Sequence, residues 1–239
     1  MGEIALRFAQ VEKRYAGVPV VGGFSLEVRR GESFALVGVN GAGKTTLIKC
    51  LLDFCETDGG GIEIFAVPHA TTAARARIAY LPERFNPPFY LTGRDFLQYM
   101  HELYRAPYDE AEVARVFGAL DLAPTALDRP ARAYSKGMTQ KLGLAACLLS
   151  GKDLYVLDEP TGGLDPKARA LLKRELNALR RSGRTLFFTS HTLADVADLC
   201  DRLAVMHAGK LRFAGSPGEL IARTGTPSLE EAFLAVIAD

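Results

Sequence analysis

The stretch "GVNGAGKTTL", Gly38 to Leu47, follows the apolar run "SFALV" and leads into "IKCLLDF". Three glycines within six residues forfeit side-chain packing and cost conformational entropy on folding. Such a loop needs bare backbone. Gly38, Gly43, Lys44 and Thr45 occupy the fixed places of the pattern G-x-x-x-x-G-K-[ST]. Between a strand and a helix, the exposed N–H groups of this loop wrap a phosphate, and the helix N-terminus adds its positive end. Lys44 then reaches the β- and γ-phosphates, and the Thr45 hydroxyl ligates Mg²⁺. Asn40, Gly41, Ala42, Gly43, Lys44, Thr45 and Thr46 form the candidate nucleotide-binding set. A chance glycine-rich turn has no reason to sit between a strand and a helix.

The rest of the chain supplies the frame that this loop requires. "IALRFAQV" and "FSLEV" alternate as half-buried strands do, with Phe24, Leu26 and Val28 on one face. "GGGIEIF" and "RIAYL" read as further strands. Helical patterns run from Thr92 to about Leu127, with Asp109 placed to cap the second of them. Strands return at "DLYVLDEP", "TLFFTS" and "RLAVMHAG". Between the first two lies "PKARALLKRELNALRRSG", a helix with Asp165 and Pro166 at its start and Gly183 past its end. Strands alternating with helices imply a mostly parallel sheet. The expected architecture is an α/β phosphate-loop core, an antiparallel β subdomain near the N-terminus and a helical insertion.

Composition narrows the function classes. A net charge of +1 over 239 residues gives no field to steer the chain onto nucleic acid or anionic lipid. Cys50, Cys55, Cys147 and Cys200 include no CxxC pair, so reduced structural thiols are expected. The N-terminus carries charges through any apolar stretch, so no signal peptide is expected there. Gly2 lacks the following Ser or Thr of a myristoylation site. No apolar run approaches the ~20 residues that cross a bilayer, so work at a membrane is expected to go through a partner.

A second chemical element stands at "DLYVLDEP". Its apolar strand leaves Asp158 at the C-terminal edge, where open α/β sheets bind ligands. Asp158 there holds Mg²⁺, directly or through water. Glu159, the next residue, is placed to polarise an attacking water. The alternative is an acid pair that merely caps a strand end. No N-K-x-D guanine-reading motif is present, which argues against GTP.

Between the loop and this strand stands "YSKGMTQKLGLAACLL", and beyond it come "GGLDP" and "TSHT". This order resembles the ATP-binding subunit of an ABC transporter over nearly the whole chain. "YLPE", "YSKGM" and "SLEEAFLAVI" are similar to the ABC-2 type exporter branch. The resemblance implies one ABC ATPase domain over residues 1–239, with a helical subdomain at about 84–150. It implies ATP and Mg²⁺ as cofactors, Tyr15 as the aromatic that stacks on adenine, and His191 as a switch histidine on the γ-phosphate. Glu83 stands where most of the family has glutamine, as a support for the metal. Ser135, Lys136 and Gly137 stand for the signature serine and two glycines, with Ser135 also an N-cap. Lys136 and Met138 depart from the usual Gly and Gln; the lysine either adds charge at the phosphate or faces solvent. Asp165 matches an aspartate at a subunit interface, a role compatible with capping its helix. His69, His101 and His207 match nothing.

In the family, the signature of one subunit completes the phosphate site of another. One copy of each motif therefore implies a head-to-tail homodimer closing on ATP. The resemblance further implies an integral membrane permease partner, a place on the cytoplasmic face of the membrane, and no nucleic acid. A soluble ABC ATPase of translation or repair is the alternative; it lacks support from any second motif set or long heptad segment. Finally, "ERFNPPFYLTGRDF" packs Phe85, Phe89, Tyr90 and Leu91 around Pro87 and Pro88 in a stretch that otherwise reads as loop. It is either the permease docking surface or the core of the helical insertion.

Overall fold

The computed structural model describes residues 3–238; the Gly2 reading lies outside them. Two sheets form the frame. β1 (Ile4–Tyr15) and β2 (Val18–Arg29) make an antiparallel hairpin closed by Ala16 and Gly17. Both turn residues have positive φ, at 48° and 82°, as a two-residue hairpin loop demands. β4 (Gly59–Ile64) pairs with β1, and the two-residue β5 (Val67–Pro68) completes the sheet in the order β2-β1-β4-β5. This is the antiparallel subdomain expected near the N-terminus.

The second sheet has the order β10-β9-β3-β8-β7-β6. It comprises β3 (Ser33–Val37), β6 (Ile78–Leu81), β7 (Leu154–Leu157), β8 (Thr185–Ser190), β9 (Arg202–His207) and β10 (Lys210–Gly215). All neighbours are parallel except the β9–β10 pair. β3, β7 and β8 are buried at every position, which is why their apolar residues run together, as in "LYVL" and "LFF", rather than alternating.

Nine helices are described. α1 (Lys44–Leu51) follows the glycine loop and packs between the sheets. There Phe8 meets Phe24 edge-on at 5.6 Å, and Phe34 stacks on Phe187 at 6.3 Å. The short α2 (Thr72–Arg75) follows β5. α3 (Gly93–Tyr104), α4 (Glu110–Ala119) and α5 (Lys136–Leu148) lie between β6 and β7 in sequence. With α6 (Pro166–Arg181), α7 (Leu193–Leu199), α8 (Pro217–Thr224) and α9 (Leu229–Ala238) they contribute to the larger core on the other side of the second sheet. Caps set the boundaries. Asp109 Oδ1 accepts from Ala111 N at 2.8 Å, and Asp165 Oδ1 accepts from Ala168 N at 2.9 Å. Ser135 Oγ accepts from Met138 N, so α5 starts at Lys136, one residue ahead of expectation.

The proline-rich loop before α3 divides in two. Phe85 and Leu91 pack against the core, with Phe85 edge-on to Phe96 at 5.5 Å. Phe89 and Tyr90 are 65% and 67% exposed and meet only edge-on at 5.5 Å. The core reading holds for Phe85 and Leu91; Phe89 and Tyr90 stand out in solvent instead of filling the core.

Candidate functional site

Parallel register gathers the site. Val37, the last residue of β3, pairs with Ser190 of β8, and Leu157 of β7 pairs with Phe188. The chain leaving β3 is the glycine loop; the chains leaving β7 and β8 begin with Asp158 and His191. Leu81 pairs with Leu157, which brings Glu83 to the same edge. All four chains therefore emerge at the C-terminal edge of one sheet. There they line a cleft of about 670 Å³ that includes Gly38 to Thr46, Glu83, Asp158, Glu159, Ser190 and His191.

The loop explains its own glycines. A β-carbon on Gly38 would collide with the Met206 carbonyl of β9. Gly43 has φ 107°, and a β-carbon there would lie 2.8 Å from Val20 O. Gly43 also occupies the N-cap of α1 with no side chain capping the helix, so the first-turn N–H groups face the cleft free of side-chain acceptors. Lys44 Nζ donates to Gly38 O at 2.7 Å and to Val39 O at 3.2 Å. Burial pushes its ammonium below the ordinary lysine range, against the pull of Glu159, Asp158 and Glu83. An anion in the loop would reverse that penalty.

The acids occupy different environments. Asp158 is 2% exposed, and burial pushes its carboxyl above the usual range. Hydrogen bonding by Thr189 and Thr45 and the charge of Lys44 oppose that push; the charge of Glu83 adds to it. Asp158 Oδ1 accepts from Thr189 Oγ1 at 2.6 Å. Glu159 has φ 51° and sits under His191, whose Nδ1 lies 2.8 Å from Glu159 Oε2. The His191 N–H also donates to Glu159 Oε2, at 3.3 Å. The ring itself is largely exposed, so Nε2 is free to meet a ligand in the cleft.

Other expected residues stand apart. Tyr15 ends β1 at the hairpin turn, 45% exposed, with its hydroxyl 3.7 Å from Cys55 Sγ. It does not line the cleft wall, though Val20 from the facing strand does. Ser135, Lys136, Gly137 and Asp165 also lie outside the cleft. The Lys136 side chain leans on the loop before Asp165, its Cε 3.4 Å from the β-carbon position of Gly163. Lys136 is exposed and away from the phosphate loop of its own subunit.

The family model described as ABC transporter matches residues 21–162, more than half of the chain. The chain belongs to the ABC transporter family. It is 39% identical over 203 residues to an uncharacterized ABC transporter ATP-binding protein of Synechocystis, covering 82% of this chain and 56% of that protein. It is 37% identical over 215 residues to the Nod factor export ATP-binding protein I of Ralstonia nicotianae, covering 88% and 67%. This member of the family thus spans between about half and two-thirds of the length of those relatives. Among solved structures, one described as the ATP binding subunit of an ABC transporter superposes with TM-score 0.89 at 29% identity, covering 97% of this chain and 99% of the other. A bacterial Atm1-family ABC exporter with ATP bound gives TM-score 0.84 at 25% identity, covering 100% and 43%. The phosphate-loop fold with its parallel sheet is that of the family.

Some residues at or behind the cleft of this ABC protein escaped the motif reading. Thr189 is a polar residue in a wholly buried strand, and that oddity was its available signal. Leu193 and Phe233 line the cleft from α7 and α9. Phe233 comes from the C-terminal helix, and no local pattern announces that contact.

Proposed function

We propose that the chain binds ATP in this cleft, hydrolyses it between two copies of itself and drives an integral membrane permease of exporter type. One observation carries the reading: the Glu159–His191 contact of 2.8 Å stands in the same cleft as the phosphate loop. A carboxylate held by an imidazole beside a phosphate cradle is equipped to take a proton from water. In this reading Lys44 and the loop backbone from Asn40 to Thr46 hold the phosphates. Tyr15 offers its exposed ring to adenine. Glu159 is the base, and His191 Nε2 contacts the terminal phosphate.

Mg²⁺ fits the donors present. Thr45, Asp158 and Glu83 offer oxygen alone, and no cluster of three His, Cys, Asp or Glu occurs among the described residues. Mg²⁺ is commonly held by one or two carboxylates plus phosphate and water oxygens rather than by an all-protein cage. When bound, it neutralises charge developing on the transferred phosphoryl group. Asp158 and Thr45 would hold it, with Glu83 accepting from a bound water.

Ser135 and Gly137 stand outside the cleft, so their contact with phosphate requires the cleft of a second copy. Asp165 would meet that copy at the same interface. We assign the chain to one ABC ATPase domain over residues 1–239, with residues 84–150 as a helical subdomain on the cytoplasmic face of the membrane. The export name of the Ralstonia relative supports a transport role over a soluble one in translation or repair. The exposed Phe89–Tyr90 pair is the permease contact, because apolar side chains held out on a loop mark interaction surfaces.

The test is phosphate release by the purified chain with Mg²⁺ and ATP, beside Lys44→Ala. Release no faster than that of the lysine variant refutes the hydrolytic reading. Recovery of the chain with membranes of its native host, lost on Phe89→Asp, tests the permease.

A further inference from the structure

Thr189 is buried with no exposed surface, on β8. Its Oγ1 lies 2.6 Å from Asp158 Oδ1 and 2.9 Å from Glu159 N. A carboxylate only accepts and a backbone N–H only donates. The proton order is therefore forced: the hydroxyl donates to Asp158 and accepts from Glu159. One side chain thus ties both acids of the site together.

The tie matters because of what Glu159 does with its backbone. Its φ of 51° is left-handed, a conformation that an L-residue keeps only where its surroundings over-determine it. The Glu159 N–H bond to Thr189 and the Gly162 N–H bond to Glu159 O, at 3.0 Å, brace that turn from both sides. The turn in turn sends the Glu159 carboxylate to His191. On the other side, fixing Oδ1 of Asp158 sets the direction in which its second oxygen points.

We propose that Thr189 is a positioning residue of the hydrolytic centre, holding the Asp158 carboxylate and the Glu159 backbone in register through one hydroxyl. This rests on the reading of Asp158 as metal ligand and Glu159 as base. The methyl group of Thr189 has no part in it. Removal of the hydroxyl leaves a buried donor and a buried carboxylate oxygen each short of a partner.

The experiment uses the full chain as wild type, Thr189→Val, Thr189→Ser and Glu159→Gln. Three quantities are read: ATP binding in EDTA, the Mg²⁺ concentration for half-maximal phosphate release, and kcat with KM for ATP. For Thr189→Val we expect metal-free ATP binding within about twofold of wild type. Half-saturating Mg²⁺ should rise at least about fivefold and kcat fall at least about tenfold, with KM changed less than about threefold. Thr189→Ser should restore both to within about threefold. A valine variant with kcat and Mg²⁺ response within twofold of wild type, beside an inactive Glu159→Gln, overturns the inference and leaves the site reading standing. An active Glu159→Gln overturns the site reading itself. A serine variant as impaired as valine assigns the effect to packing and also overturns the proposal, as does loss of metal-free ATP binding in step with kcat. If the valine variant does not fold, Thr189→Ala is held to the same thresholds.

Discussion

Carboxylates placed at Phe85 and at Phe89, four residues apart on one loop, should have opposite consequences. Phe85 packs edge-on to Phe96 at 5.5 Å, and its ring atoms approach within 2.8 Å of the β-carbon position of Gly143. Truncating a fully buried Phe costs about 3–5 kcal/mol. Phe85 is half-buried, so roughly 2–3 kcal/mol is expected from the lost ring, and an unpaired carboxylate in its place adds to that. For a domain of this size each kcal/mol moves Tm by about 2–4 °C. Phe85→Asp should therefore melt roughly 4–12 °C below wild type from the lost ring alone, and lower still with the carboxylate. Phe89, 65% exposed and touching Tyr90 at its edge, is a surface residue. Substitution there should stay within about 0.5 kcal/mol, a shift of about 2 °C or less. Phe89→Asp should keep phosphate release and lose recovery with membranes that carry the permease. Circular dichroism melts, phosphate release and membrane sedimentation on the two variants decide the matter. A Phe89→Asp variant that melts as low as Phe85→Asp would show that the loop is core throughout. A stable Phe89→Asp that still sediments with membranes removes this pair from the docking surface.

Glu159→Gln should retain ATP binding and lose phosphate release about 10²–10⁴-fold; turnover within threefold of wild type ends its assignment as base. The same variant with ATP should sediment as a dimer and without nucleotide as a monomer. Ser135→Arg should block that dimer by placing bulk and charge at the γ-phosphate, and a dimer indifferent to ATP contradicts the shared site. Burial raises the Asp158 carboxyl above its usual range, so the folded state holds its proton more tightly than the unfolded one. Its contribution to stability is then greatest at acid pH and is lost as pH rises through the folded value. Asp158→Asn, in metal-free buffer, should accordingly melt above wild type at about pH 8, with the gap closing toward acid; a gap constant with pH refutes the linkage.

What the sequence by itself determined was whatever local chemistry compels. The glycine pattern from Gly38 to Gly43 announced a backbone cradle, since a glycine-rich loop between a strand and a helix leaves its N–H groups bare for a phosphate. The consecutive apolar residues "FALV", "LYVL" and "LFF" of β3, β7 and β8 announced strands buried on both faces. Asp109, Ser135 and Asp165 announced helix starts, because a cap is a contact between residues two or three apart. The acid pair at the end of an apolar strand marked Asp158 and Glu159, and the ABC resemblance added His191. Only the tertiary structure decided which strand neighbours which, and from that register came the Thr189 bridge between Asp158 and Glu159, residues thirty or more positions away in the chain. It also split "FNPPFYL" into half-buried Phe85 and Leu91, packed on the core, and exposed Phe89 and Tyr90, which no periodicity distinguishes in a loop without a repeat. It brought Phe233 from the last helix to the cleft. A cap or a turn is recorded in adjacent letters. A contact across a sheet depends on how remote segments pack, and that depends on burial summed over the whole core.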